Sequence, residues 1–113
     1  MANSSQNKSC CLVRIYFNED NIYEGQPLVD YLMGEVQKAG LHGATVFRGI
    51  MGFGSHQIVH STTLLRWTES LPLILEIMDS EESLKELLQK LKPSLADCLI
   101  IKIPVEQLIP VAE

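Results

Sequence analysis

A chain of 113 residues with 46% apolar side chains can close one hydrophobic core without a disulfide or metal staple, and is too apolar to stay disordered. Its net charge of −5, with no Lys/Arg cluster, lacks the electrostatic footprint of a duplex nucleic-acid binder. No apolar run approaches the roughly 20 residues of a membrane helix, so direct membrane insertion is not expected.

The opening from Met1 to Cys10 is polar and holds no signal-peptide core. Residues 1–10 read as a flexible tail on a cytoplasmic protein, and 11–113 as a single domain. The first strand is expected over Cys11–Asn18, with Cys11, Val13, Ile15 and Phe17 on one face and Leu12, Arg14 and Tyr16 on the other. A Glu24-Gly25 turn leads to a helix with Pro27 in its first turn and a stripe of Leu28, Tyr31, Leu32, Val36 and Ala39. Gly40 ends that helix as a left-handed cap. A second strand, Gly43–Met51, runs into the glycine-rich string Gly49, Gly52, Gly54. Residues 55–70 are polar and aperiodic, a long loop for so small a domain. Leu73–Met78 reads as the third strand. Asp79 and Glu82 read as the capping box of a second helix, whose buried stripe is Leu84, Leu87, Leu88 and Leu91 and whose stop is Pro93. Leu99–Pro104 is the fourth strand, and Val105–Val111 remains apolar enough to pack.

The order βαββαβ is ferredoxin-like: an α+β sandwich in which two helices cover one face of a four-stranded antiparallel sheet. If the more aliphatic side of each strand meets the helices, the open side carries Leu12, Arg14 and Tyr16, then Val46, Arg48 and Ile50. It continues with Ile74, Glu76 and Met78, then Ile100 and Lys102. Charges set singly among apolar residues suit an oligomer interface in which they pair across subunits.

The strongest local signal is the string from Arg48 to Gly54. Glycines at a strand end let backbone N–H groups converge on an anion, but they also make structural turns, and the string alone does not choose. It is not a P-loop, because no Gly-Lys-Ser/Thr follows. His56 and His60 stand four apart, a spacing that puts two imidazoles on one helix face, but no third ligand is evident, so a metal site and plain loop histidines both stay open. His42 reads as structural or solvated. Trp67 reads either as an anchor for a partner or as a ring packed back on the body. Glu81 and Glu82 belong to a helix N-terminus. No activated nucleophile or acid–base pair is visible, so an enzyme is not expected. Cys10, Cys11 and Cys98 cannot all pair within one chain and read as reduced thiols.

Three segments together resemble a known family: Leu12–Tyr16 followed by Gly25–Leu28, then Ala44–Gly54, then Leu71–Ile77. They are similar to PII (nitrogen regulatory, GlnB-like) signalling proteins, and closer to their uncharacterised relatives, domain of unknown function 190. The resemblance spans residues 11 to about 111. It implies a homotrimer with its sheets facing inward, and a long mobile loop at 52–70 that senses a ligand and docks on a protein partner. It also implies an adenine nucleotide (AMP, ADP or ATP) bound at the base of that loop between subunits. The residues implied to bind it are Gly52, Phe53, Gly54, Ser55, His56 and Gln57, supported by Arg48 and Gly49. Arg66 is a further candidate for phosphate. Family context implies a membrane transporter as the partner. PII proteins carry a second, glycine-bearing phosphate loop before the last core strand; here Lys92–Cys98 has no glycine. The loop also lacks a tyrosine for uridylylation, and Ser61, Thr62 and Thr63 are candidates for phosphorylation instead. The alternative is a divalent-metal-binding trimer of the cation-tolerance type, using His56 and His60.

Overall fold

Strict alternation along the first strand sets the architecture. The computed structural model describes residues 8–52 and 70–110. In chain order these form β1 (Lys8–Asn18), the two-residue strands β2 (Ile22–Tyr23) and β3 (Gln26–Pro27), α1 (Leu28–Lys38) and β4 (Ala44–Arg48). Then follow β5 (Pro72–Asp79), α2 (Glu81–Leu91), a 3-10 turn (Lys92–Leu95) and β6 (Leu99–Gln107). The first strand begins earlier than the Cys11 expected, because Lys8, Ser9 and Cys10 pair with the end of β6. The main sheet is antiparallel with order β4-β5-β1-β6, the ferredoxin-like arrangement expected, and β2 and β3 form a small separate hairpin. That hairpin turns on Glu24 and Gly25, both at positive φ (50° and 82°), the geometry two-residue hairpin loops favour.

Cys11, Val13, Ile15 and Phe17 of β1 meet Leu73, Leu75 and Ile77 of β5 on the face covered by the helices. Helix α1 contributes Leu28, Leu32 and Val36, and α2 contributes Leu84, Leu87 and Leu91. Each fully buried aliphatic side chain among these contributes about 1.5–3 kcal/mol, which makes this layer the main source of stability. Tyr31 sits at the rim and packs at a tilt of 54° against Tyr23 of the hairpin, ring centroids 4.7 Å apart. Gly40, at φ +73°, ends α1 as expected.

The strand register reverses two of the expected faces. Ala44, Val46 and Arg48 lie opposite Ile77, Leu75 and Leu73, so they share the helix-covered side. Ile100 and Lys102 lie opposite Ile15 and Val13 and do the same. Val46 and Ile100 pack against the core, while Lys102 reaches Glu81 at the start of α2 (2.7 Å). The open face instead receives Thr45 and Phe47 from β4, and Leu99, Ile101 and Ile103 from β6. Ile50 lies beyond β4 and is exposed. Both sides of these edge strands are aliphatic, so aliphatic content cannot assign their faces; pairing to β1 and β5 does. The open face is therefore more apolar than expected. Its ion pair also lies within one chain: Arg14 and Glu76, directly opposed on β1 and β5, meet at 2.9 Å.

The cap of α2 also differs. Ser80, not Asp79, is the N-cap, and its hydroxyl accepts the Ser83 N–H at 3.1 Å. Asp79 is still the last residue of β5, and its carboxylate is engaged elsewhere. One oxygen accepts the Ser80 N–H at 2.7 Å, and the other accepts the His42 N–H at 3.1 Å and lies 2.9 Å from the His42 ring Nδ1. Burial pushes the Asp79 carboxyl up, but these hydrogen bonds, the His42 ring first, outweigh it and hold the group below its ordinary value. Asp79 thus ties the α1–β4 connection to the head of α2. Urea unfolding should separate the two capping schemes: Ser80→Ala should cost about 1 kcal/mol, and Glu82→Ala should be close to neutral.

Candidate functional site

The last pair of the β4–β5 ladder is Arg48 opposite Leu73. Beyond it the two strands are held together at a neck. The Gly49 N–H donates to the Pro72 carbonyl at 2.8 Å, and the Glu19 N–H, just past the end of β1, donates to the Leu71 carbonyl at 3.0 Å. The approach is close at both glycines, and closest at Gly49. A Cβ on Gly49 would lie 2.8 Å from Pro72 Cγ, and a Cβ on Gly52 would lie 3.1 Å from the same atom. The Pro72 ring fills the space between the two glycines.

A charge pair spans this neck. Arg48 Nε lies 3.2 and 3.1 Å from the two Glu19 carboxylate oxygens, and Nη2 lies 2.9 and 3.0 Å from them. The bidentate hydrogen bonds from Arg48 hold the Glu19 carboxyl below its ordinary value, with a smaller contribution from the Leu71 backbone N–H. Reciprocally, Glu19 raises the Arg48 guanidinium further above its already high value. Glu19 therefore contacts both limbs of the chain that flank residues 53–69.

Of the residues implied to bind ligand, Arg48, Gly49 and Gly52 are brought together here around Pro72. Phe53, Gly54, Ser55, His56 and Gln57 lie outside the described residues, as do His60, Arg66 and Trp67. For Gly49 and Gly52 the choice left open by the string alone now has a packing answer, and the Gly49 N–H is engaged by Pro72. Sequence reasoning missed Glu19, Leu71 and Pro72. The Glu19–Arg48 contact joins positions 29 apart, and no local periodicity encodes it.

The end of α2 reaches the same end of the sheet, since Leu99 opposes Tyr16 and Pro72 opposes Asn18 on β1. There the chain makes the 3-10 turn Lys92–Leu95, with Ser94 and Leu95 buried. The Ser94 hydroxyl donates to the Leu91 carbonyl at 2.6 Å. The turn is a filled plug against the core, consistent with its lack of glycine. Among the described residues, no group of three or more His, Cys, Asp or Glu is placed to hold a metal, and no helix is long and apolar enough to cross a membrane. The thiols of Cys10, Cys11 and Cys98 are free, and burial pushes the Cys98 thiol up, away from nucleophilic reactivity.

Comparison with known proteins agrees with this frame. The family described as "Uncharacterized ACR", DUF190, matches residues 10–107. A UPF0166 protein of Aquifex aeolicus is 41% identical over 81 residues, 72% of this chain and 77% of that protein. A UPF0166 protein of Methanocaldococcus jannaschii is 32% identical over 80 residues, 71% and 73% of the two chains. Among solved structures, CPII, a nitrogen regulatory PII-like protein from Thiomonas intermedia bound to ADP, AMP and bicarbonate, superimposes with a TM-score of 0.65. That match runs at 14% identity over 93% of this chain and 99% of that one. A protein described as a PII-like signaling protein from Thermus thermophilus gives a TM-score of 0.57 at 23% identity, over 92% of each chain. The fold is PII-like, and the resemblance drawn from Leu12–Tyr16, Ala44–Gly54 and Leu71–Ile77 holds.

Gly49→Ala should destabilise the chain by about 1–3 kcal/mol through overpacking, and a second change, Pro72→Ala, should recover part of that loss in urea unfolding. Acid should also weaken the neck. A carboxylate held below its ordinary value adds stability that is complete above its unfolded-state pKa and is lost as pH falls through the folded value. Thermal melts of the wild type should therefore fall below about pH 4.3, and the fall should be shallower in Arg48→Gln.

Proposed function

This chain belongs to the DUF190 family of uncharacterised proteins, and we propose that it is a PII-like regulatory protein that binds an adenine nucleotide at the base of the 53–69 segment and signals to a protein partner. The observation that carries this reading is the neck itself. It is a built structure in which an Arg, two glycines and a proline hold the two ends of a long connection together, on a fold shared with a PII-like protein described as bound to ADP and AMP.

The nucleotide would meet Arg48 through its phosphates and the following residues Gly52, Phe53, Gly54, Ser55, His56 and Gln57 through the remainder. The filled 3-10 turn before β6 leaves no glycine cradle for a further phosphate group, so AMP or ADP is favoured over ATP. Binding at the neck would alter which surface the 53–69 segment offers to a partner, a coupling through a segment whose ends the ligand grips. No metal or enzymatic step is part of this reading.

Assembly follows from the open face. Leu12, Tyr16, Phe47, Ile74, Met78, Leu99, Ile101 and Ile103 form a continuous apolar surface around one internal ion pair. A face of this composition and breadth calls for a cover, and three copies with sheets turned inward would supply it, setting the neck of one subunit beside its neighbour. Calorimetry with AMP, ADP and ATP tests the ligand: tight binding of AMP or ADP, weakened by Gly54→Val, is expected, and no binding of any of the three would overturn the reading. Sedimentation tests the assembly: the wild type should run as a trimer, and Ile101→Lys, which buries a charge in the interface, should shift it to monomers.

A further inference from the structure

We propose that Glu19 is the positioning residue of the effector site: it grips one edge of the Arg48 guanidinium and so turns the other edge toward an incoming phosphate. The inference rests on the nucleotide reading above and adds the residue that pre-orients its anion contact.

The four contacts of the pair, from 2.9 to 3.2 Å, all use Arg48 Nε and Nη2; Nη1 takes no part in them. A guanidinium is rigid and planar, so a carboxylate fixed along one edge sets the plane and the direction of the donors on the remaining edge. The burial of the two partners is unequal in the sense this role requires. The Glu19 side chain is 26% exposed and that of Arg48 58%, so the acid lies beneath and the cation outermost. Glu19 is itself anchored, because its N–H donates to the Leu71 carbonyl at 3.0 Å. The pair is thus tied to backbone on both limbs of the neck, unlike a surface ion pair between two free side chains.

Two effects of Glu19 on anion binding oppose each other. Its charge offsets that of Arg48 and weakens the attraction. Its grip removes in advance the rotamer freedom that Arg48 would otherwise lose on binding. At an exposed site water screens the first effect, whereas the second does not depend on screening, so orientation prevails. The opposite ordering, in which Glu19 competes with the ligand for Arg48, would make the acid an inhibitor of binding, and experiment can tell the two apart.

The test is a double-mutant cycle on the full chain, with ADP and inorganic pyrophosphate as probes and affinity read by calorimetry. Glu19→Gln should bind both probes roughly tenfold more weakly than wild type, with oligomer mass unchanged and melting temperature at pH 7 lowered no further than in Arg48→Gln, which breaks the same ion pair. Arg48→Lys, which keeps the charge but loses the planar fork, should be weakened similarly. In the Arg48→Lys background, adding Glu19→Gln should change affinity by under about twofold, because there is no fork left to orient. Equal or tighter binding by Glu19→Gln overturns the proposal in favour of competition. A full Glu19→Gln effect in the Arg48→Lys background overturns it in favour of a purely structural role. If the wild type and all variants bind neither probe, the nucleotide reading itself falls and this inference falls with it; if the wild type binds and the cycle is additive, only the role of Glu19 falls.

Discussion

The arrangement depends on β1 being paired on both sides. Its Lys8–Asn18 backbone is bonded to β5 along one edge and β6 along the other, and a central strand cannot slip by one residue without turning every side chain over. Val13 and Ile15, at 0% exposure, lock that register, because a slip would bring Arg14 into the helix layer. Once β1 is fixed, β5 is fixed opposite it, the helices have one face to cover, and the chain ends of β1, β4 and β5 arrive together at one end of the sheet. The neck exists because these three ends meet there.

The two faces of the sheet and the neck at its end differ in character. The helix-covered side supplies stability through aliphatic burial. The open side offers apolar area around the matched Arg14–Glu76 ion pair, a composition suited to another protein surface and ill suited to water. The end of the sheet carries the polar chemistry: a fork-shaped cation held by a carboxylate beneath it, and backbone groups already paired. In the proposed function these regions are coupled only through the strand ends, so the neck can respond to a ligand without any change in the core.

Most of the fold is legible in the sequence because β1, β5 and the two helices carry strong patterns of distinct period. The alternation of Cys11–Phe17 and the stripe of Leu84, Leu87 and Leu91 each give element and buried face together, though not the exact ends. The edge strands are less legible, since Val46 and Phe47, or Ile100 and Ile101, are alike in hydrophobicity, and only hydrogen-bonded register distinguishes them. Capping fails by one residue for a related reason: Asp79 and Ser80 are both good caps, and Asp79 is drawn away by His42, 37 positions distant. At the site, Arg48, Gly49 and Gly52 stand out locally. Their partners, Glu19 and Pro72, are invisible to any window of sequence that does not already contain the fold.

The neck also bears on how such a chain can change over time. Joining the ends of a connection carries an entropic cost that rises only slowly with its length, about 0.6 kcal/mol for each doubling. Here the ends are joined by backbone bonds, a proline wedge and an ion pair that belong to the sheet. Lengthening or shortening the intervening 53–69 stretch would therefore change the cost of joining its ends only slightly. Evolution is left free to vary the length of that stretch while inheriting the frame that joins its ends.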